Sequence, residues 1–374
     1  MKKLSVFMAA VAAVTMAVNS GYADLPVYAK TDKSVSDEPS AKSAEKEVRK
    51  SDLAGIRSER TVCSKFDHCK AVLVSADIYY IAYNYGGVSA QIVTLDENGD
   101  VVQKGDLGYS ADFYVTQLDD RIYVMYSTYT RDNIKTGTAC KIFDTELNEI
   151  AEYDTAKFAK DPQYMAVNKN EVIYSKSGKI YSADFDGKNK RVLLDLDKDC
   201  IGADSITSIA ANNDYAAFTL GGFGGRYYGV IDLKTGEIQM KNDITVFYPE
   251  VHGDYIMFPS YLLEWNKASG KVVVFDGSGF KTIEPEMQLE SGQGYCTMTM
   301  DGRLITQEFS ESKYGEENMC IRVYGKDGKR LKEIITETGY YPAGNNETIV
   351  YKLRDQSSKG NNEKSSYVSK VIEY

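Results

Sequence analysis

Two histidines, six cysteines and one run of spaced aspartates are the groups in this 374-residue chain best suited to chemistry. A Ser-His-Asp hydrolase would have to use His68 in "FDHCK" or His252 in "EVHGDY", and no G-x-S-x-G elbow accompanies either. His252 precedes a β-rich stretch at a polar corner, where a turn residue is the expectation. The run "DLDKDCIGADSI" (195–206) opens like a calcium loop with Asp195, Asp197 and Asp199. It then places Cys200 where that loop needs glycine and Ile206 where it needs a bidentate glutamate, so an acidic connection is expected instead. "TLGGFGGRYYG" (219–229) resembles a phosphate loop, but such a loop needs a following helix and a closing Lys-Ser or Lys-Thr. Here "YYGVIDL" reads as another strand, and the glycines are expected to bend a hairpin that holds out Phe223 and Arg226. The sequence therefore assigns no catalytic residue, no metal ligand and no cofactor.

The cysteines divide by spacing. "CSKFDHC" sets Cys63 and Cys69 across a short loop, and a disulfide is expected there in an oxidising compartment. A zinc set of Cys63, Asp67, His68 and Cys69 would draw every ligand from one short loop, which is crowded. Cys296 and Cys320 fall on the first and third strands of one unit, two spacings of about 4.8 Å apart. That exceeds disulfide reach, so both are expected as buried thiols. Cys140 and Cys200 are unassigned.

The compartment is read from the first residues. Lys2 and Lys3 precede an apolar run from Leu4 to Val18, too short for a comfortable membrane span. Small residues follow in the order a signal peptidase prefers, which gives a signal peptide over 1–23, with cleavage after Ala23 or Ala29. Loss of Lys2 and Lys3 takes the net charge from −10 to −12. Such a chain is unsuited to nucleic-acid phosphates, and it lacks the basic amphipathic helix of a membrane-surface protein. No membrane insertion is expected after cleavage, and a monomer is the expectation. Residues 24–54 hold little that could form a core and read as a disordered linker. The folded body spans 55–374.

A repeat positions everything else. "ADIYYIAY", "DDRIYVMY", "KNEVIYSK", "NNDYAAFTL", "HGDYIMFPS", "MDGRLITQEF" and "NNETIVYKL" each set a polar corner before a β-rich run. The corner markers Asp77, Asp120, Glu171, Asp214, Asp254, Asp301 and Glu347 step by 43, 51, 43, 40, 47 and 46 residues. Tight-turn signals such as "DENGD", "DFDGK", "LKTGE", "FDGSG" and "GKDGK" keep the same beat, and Asn148 is expected to serve in the glycine-free "FDTELNE". Each unit reads as four antiparallel strands, the pattern of an all-β β-propeller with seven blades; six or eight are the neighbouring counts. The last unit holds three strands of its own, so the N-terminal "GIRSERTVC" (55–63) is expected to supply its outer strand.

One unit, "SGKIYSADFDGKNKRVLLDL" (177–196), resembles the TolB-like propeller repeat through Ile180-Tyr181, Asp186-Gly187 and Leu193. The resemblance is close over these residues and loose elsewhere. It implies a secreted or periplasmic binding scaffold, usually of six blades, and carries no catalytic residue across.

The variable connections between second and third strands should share one rim. They carry Tyr129, Arg131, Phe223, Arg226, Tyr227, Tyr261, Trp265 and Tyr314, residue types that anchor protein and carbohydrate ligands. The expected function is a non-enzymatic extracellular scaffold that binds a protein, peptide or glycan there. Two alternatives stand beside it: a propeller glycoside hydrolase or lyase with carboxylates at the axis, and a structural extracellular protein.

Overall fold

The computed structural model describes residues 56–374 except 64–65, 67, 84–88, 133, 156–163, 200–202, 204, 222–226, 245, 247, 260–270, 286–293, 309–317, 338 and 354–367. The segments expected to be a signal peptide (1–23) and a linker (24–54) fall outside the described residues.

The chain is all-β and built of antiparallel four-stranded units. The first contains β2 (His68–Val74), β3 (Ile78–Tyr83), β4 (Ser89–Leu95) and the first half of β5 (Val101–Leu118). That long strand pairs with β4 up to Tyr109 and with β6 (Arg121–Tyr129) from Ser110, so it closes one unit and opens the next. The second unit continues through β7 (Lys135–Asp144) and β8 (Glu149–Asp154). The third runs β9 (Met165–Val167), β10 (Glu171–Lys176), β11 (Lys179–Asp184) and β12 (Arg191–Asp195), followed by the single helical turn α1 (Leu196–Asp199). The fourth comprises β13 (Ile206–Ala211), β14 (Tyr215–Leu220), β15 (Tyr227–Asp232) and β16 (Ile238–Lys241). The fifth has β17 (Glu250–His252), β18 (Tyr255–Pro259), β19 (Val272–Phe275) and β20 (Phe280–Ile283). In the sixth are β21 (Gly294–Met298), β22 (Leu304–Glu308), β23 (Asn318–Tyr324) and β24 (Arg330–Glu337). The last sheet joins β25 (Gly339–Gly344), β26 (Thr348–Leu353) and β27 (Val368–Glu373) to the N-terminal β1 (Ser58–Cys63), with Ser58 opposite Glu373.

Burial explains the composition of the strands. Second and third strands are covered on both faces, so Tyr79–Ala82 and Val272–Phe275 are buried without alternation. Outer strands meet water, and β8 and β16 carry few buried side chains. Cores lie between units rather than within them. One cluster joins Ile173 and Leu194 to Ile209 and Phe218 of the next unit, and another joins Ile305 and Ile321 to Ile349 and Tyr351. A further cluster brings Val74 of the first unit against Val62, Val350 and Val371 of the last. Most described tyrosines serve these cores: Tyr79, Tyr80, Tyr123, Tyr174, Tyr228, Tyr324 and Tyr351 are almost wholly buried.

The tight turns follow their sequence signals with one correction. Gly99, Gly187, Gly236, Gly277 and Gly328 take positive φ values of 76–83°. In "FDTELNE" the left-handed residue is Leu147 (φ 62°), not Asn148. Burial of the Leu147 side chain between the first two units offsets a backbone cost of about 1–2 kcal/mol. Asn148 instead donates from its backbone and side-chain nitrogens to Asp144, each at 2.9 Å.

Candidate functional site

The two ends of the sheets are chemically different. At one end lie the corners between first and second strands and the turns between third and fourth. Their polar residues are occupied in holding the backbone: Asn168, Asn212 and Asn345 each accept two N–H groups across their own corners. Aspartates 96, 144 and 232 do the same in the turns, and aspartates 186, 276 and 327 accept one backbone N–H each. Others tie one unit to the next. The Tyr79 hydroxyl donates to Thr145 O (2.8 Å), Arg303 Nη1 to Asn346 O (3.2 Å), and Asn345 Nδ2 to Ser75 O of the first unit (2.5 Å). The corner asparagines and turn aspartates thus have a structural use.

The other end carries the connections between second and third strands. They run from two residues, 177–178, to the longer spans 260–271, 309–317 and 354–367. The described part of this end lies around the 130–134 turn, closed by a bond from Thr130 N–H to Ile134 O (2.8 Å). Tyr129 sits at its base, with its hydroxyl donating to Asp112 Oδ2 (3.3 Å), and Arg131 is exposed. Ile134 is 63% exposed beside them, an apolar contact the sequence reading missed although "TRDNIKTG" isolates it among polar residues. Tyr227 begins β15 and packs against the core between the third and fourth units, so it supports the end rather than presenting a free ring. Phe223, Arg226, Tyr261, Trp265 and Tyr314 lie outside the described residues, as does the Cys63 side chain of the expected disulfide; Cys69 is buried on β2.

Below this end the inner strands bring together ionisable groups from distant parts of the sequence. Glu250 starts β17 and His252 ends it, with Nε2 and Oε2 3.2 Å apart. Burial lowers the Lys70 ammonium on β2, the Glu250 carboxylate raises it and Lys352 lowers it again. Tyr114 on β5 is pushed up to about 12, chiefly by burial, while the Ala211 N–H bound to its oxygen acts the other way and Glu250 adds to the rise. Burial, then Glu250, also raises the Cys296 thiol on β21. One carboxylate therefore acts on side chains of the first, second and sixth units. Cys296 stays protonated and is a poor nucleophile. Tyr114 keeps its proton and can donate. The groups whose protonation Glu250 shifts are a lysine, a phenol and a thiol.

The other chemical candidates resolve into structure. Asp195 is buried and pairs with Lys179 at 2.6 Å, and its N–H is held by Asp199 Oδ2 at 2.8 Å. Cys296 and Cys320 occupy the first and third strands of the sixth unit. Among the described residues no group of three or more His, Cys, Asp or Glu side chains is placed to hold a metal ion.

No protein-family model matches the sequence, and a comparison with curated proteins finds no significant match. Solved structures give low-identity likenesses. The β-propeller domain of the Trilobed protease from Pyrococcus furiosus is 12% identical, covering 65% of this chain and 78% of that one, with a TM-score of 0.42. AztD from Citrobacter koseri is 11% identical over 71% and 70% of the two chains, with a TM-score of 0.38. One of two prolyl endopeptidases is 13% identical over 79% of this chain and 45% of that one, with a TM-score of 0.46. These structural neighbours are β-propeller proteins.

Proposed function

We propose that this chain is a secreted, non-enzymatic recognition scaffold: a closed propeller of seven blades that binds a protein, peptide or glycan through its loop-bearing end. The observation that carries the reading is the unequal construction of the two ends. The corner asparagines and turn aspartates are spent on the backbone, whereas the loop end carries the longer connections and exposes Arg131 and Ile134 beside Tyr129. Beneath it, Lys70, Lys352 and Glu250 supply charge of both signs in a desolvated setting, where polar contacts discriminate strongly between ligands. Ring closure is supported by the pairing of β1 with β27 and by the core shared between the first and last units. Secretion rests on the charged, apolar and small-residue order of the N-terminus, and the TolB-like repeat at 177–196 agrees with an extracytoplasmic scaffold.

The test is capture of partners from the native extracellular milieu, followed by a glycan array. Arg131→Ala with Ile134→Ala, and separately Tyr261→Ala with Trp265→Ala, should weaken the captured interaction at least about tenfold. Lys329→Ala at the corner end should leave it unchanged. Loss of binding in the corner variant with retention in both loop variants would overturn the assignment.

A further inference from the structure

The seam between the first and last units holds a cavity of about 260 Å³, open to solvent, at the corner end, away from the loop-bearing end. Its wall takes Arg60 from β1, Glu373 from β27, the corner residue Asp77, and Gln103 from β5. Val74 and Ile78 supply apolar surface, and Val102, 64% exposed, stands at the opening. The charges do not cancel. Arg60 Nη1 is already matched by Glu373 Oε1 at 3.3 Å. Among the described residues, the Asp77 carboxylate makes no hydrogen bond or ion pair; only its backbone oxygen is used, by Ser75 N–H at 2.9 Å. Glu171 is held by Arg191 at 3.0 Å, and Asp301 by Thr299 Oγ1 at 2.5 Å. Among the described residues, the carboxylates of Asp120, Asp214 and Asp254 share the unpartnered state of Asp77, but Asp77 is the corner acid that lines this cavity.

We propose that this seam cavity binds a small aliphatic amine, its ammonium on Asp77 and its carbon chain against Val74 and Ile78. An ammonium brings three donors and no acceptor, which suits a wall that offers the Asp77 carboxylate together with the Gln103 carbonyl. An anion would meet two carboxylates and a guanidinium already paired. The volume falls below the roughly 300–1,000 Å³ of pockets that hold drug-sized ligands, so the ligand is a chain of a few carbons. Because the wall draws on β1, β27 and the first unit together, an occupant bridges the two ends of the chain. It should favour the folded form by mass action.

Calorimetric titration and thermal unfolding of the full chain with 1,4-diaminobutane, n-butylamine and butyrate test the proposal. Both amines should bind and raise the unfolding midpoint, and butyrate should do neither. Asp77→Asn should weaken amine binding at least about tenfold, the loss of one charge-assisted contact. Val102→Lys places an ammonium at the mouth from an exposed position and should abolish binding without lowering stability. Asp327→Asn, an acid in a turn of the sixth unit, should keep it. Binding of butyrate as strong as that of the amines, no amine binding, or amine binding that survives both Asp77→Asn and Val102→Lys would each overturn the site.

Discussion

Removing the Arg322 guanidinium should be among the most damaging single changes in the sixth unit. Its side chain is 5% exposed and lies between Glu308, at 1%, and Glu333, at 39%. Nη1 donates to Glu308 Oε2 and Nε to Glu333 Oε2 at 2.7 Å, across the register that sets Arg322 opposite Glu333. Glu308 Oε1 is buried with no hydrogen bond, so that carboxylate depends on Arg322 for compensation. Arg322→Met keeps much of the volume and strands the Glu308 charge, at a cost of about 3–5 kcal/mol. At roughly 2–4 °C per kcal/mol, the unfolding midpoint should fall by about 6–20 °C. Glu308→Leu combined with Arg322→Met replaces the pair by apolar contacts and should recover most of the loss. Urea unfolding of the single and double variants, followed by tyrosine and tryptophan fluorescence, measures the coupling. A single variant as stable as the parent, or a double variant as damaged as the sum of its parts, would refute the argument.

Two further outcomes follow from local geometry. Val62→Asp puts a carboxylate into the core shared by the first and last units and should cost about 3 kcal/mol or more; Thr61→Asp, one residue away on the exposed face, should be nearly neutral, and limited proteolysis distinguishes them. Asp276 is held at about 2, below its ordinary 3.8, first by the hydrogen bond from Lys281 and then by that from Ser278. Its folded pKa is depressed, so its contribution is complete above about 4 and lost as pH falls towards 2. The stability difference between the parent and Asp276→Asn should close over that window in acid titrations of unfolding.

The repeat was legible because its signals are local. A positive-φ glycine, an aspartate that caps its own turn and a run of β-branched and aromatic residues act over a few positions, the glycine recurring in five units and the aspartate in six. The same logic failed at "FDTELNE", where burial of Leu147 between units outweighed the turn preference of Asn148. Tyr227 read as a loop aromatic because a strand boundary differs from a loop end by a single residue. The groups linked through Glu250 were not legible at all. Lys70, Tyr114, Glu250 and Cys296 lie in four different units, and only the three-dimensional arrangement of inner strands puts them in one electrostatic environment. The lysine within the otherwise apolar "CKAVLV" was the one available sign.

The pairing of β1 with β27 also sets a timetable. Ser58 and Glu373 are partners in one sheet although almost the whole folded body separates them in sequence. Units between them can assemble from neighbouring stretches as the chain emerges, but the last sheet must wait for the final strand. Until then β1 has no partner, and the first unit lacks Val371, one of the valines that cover Val74. An interrupted chain therefore carries an open sheet edge and an uncovered apolar face at the same time, the two features that promote association with other chains. Completion of β27 removes both in one step.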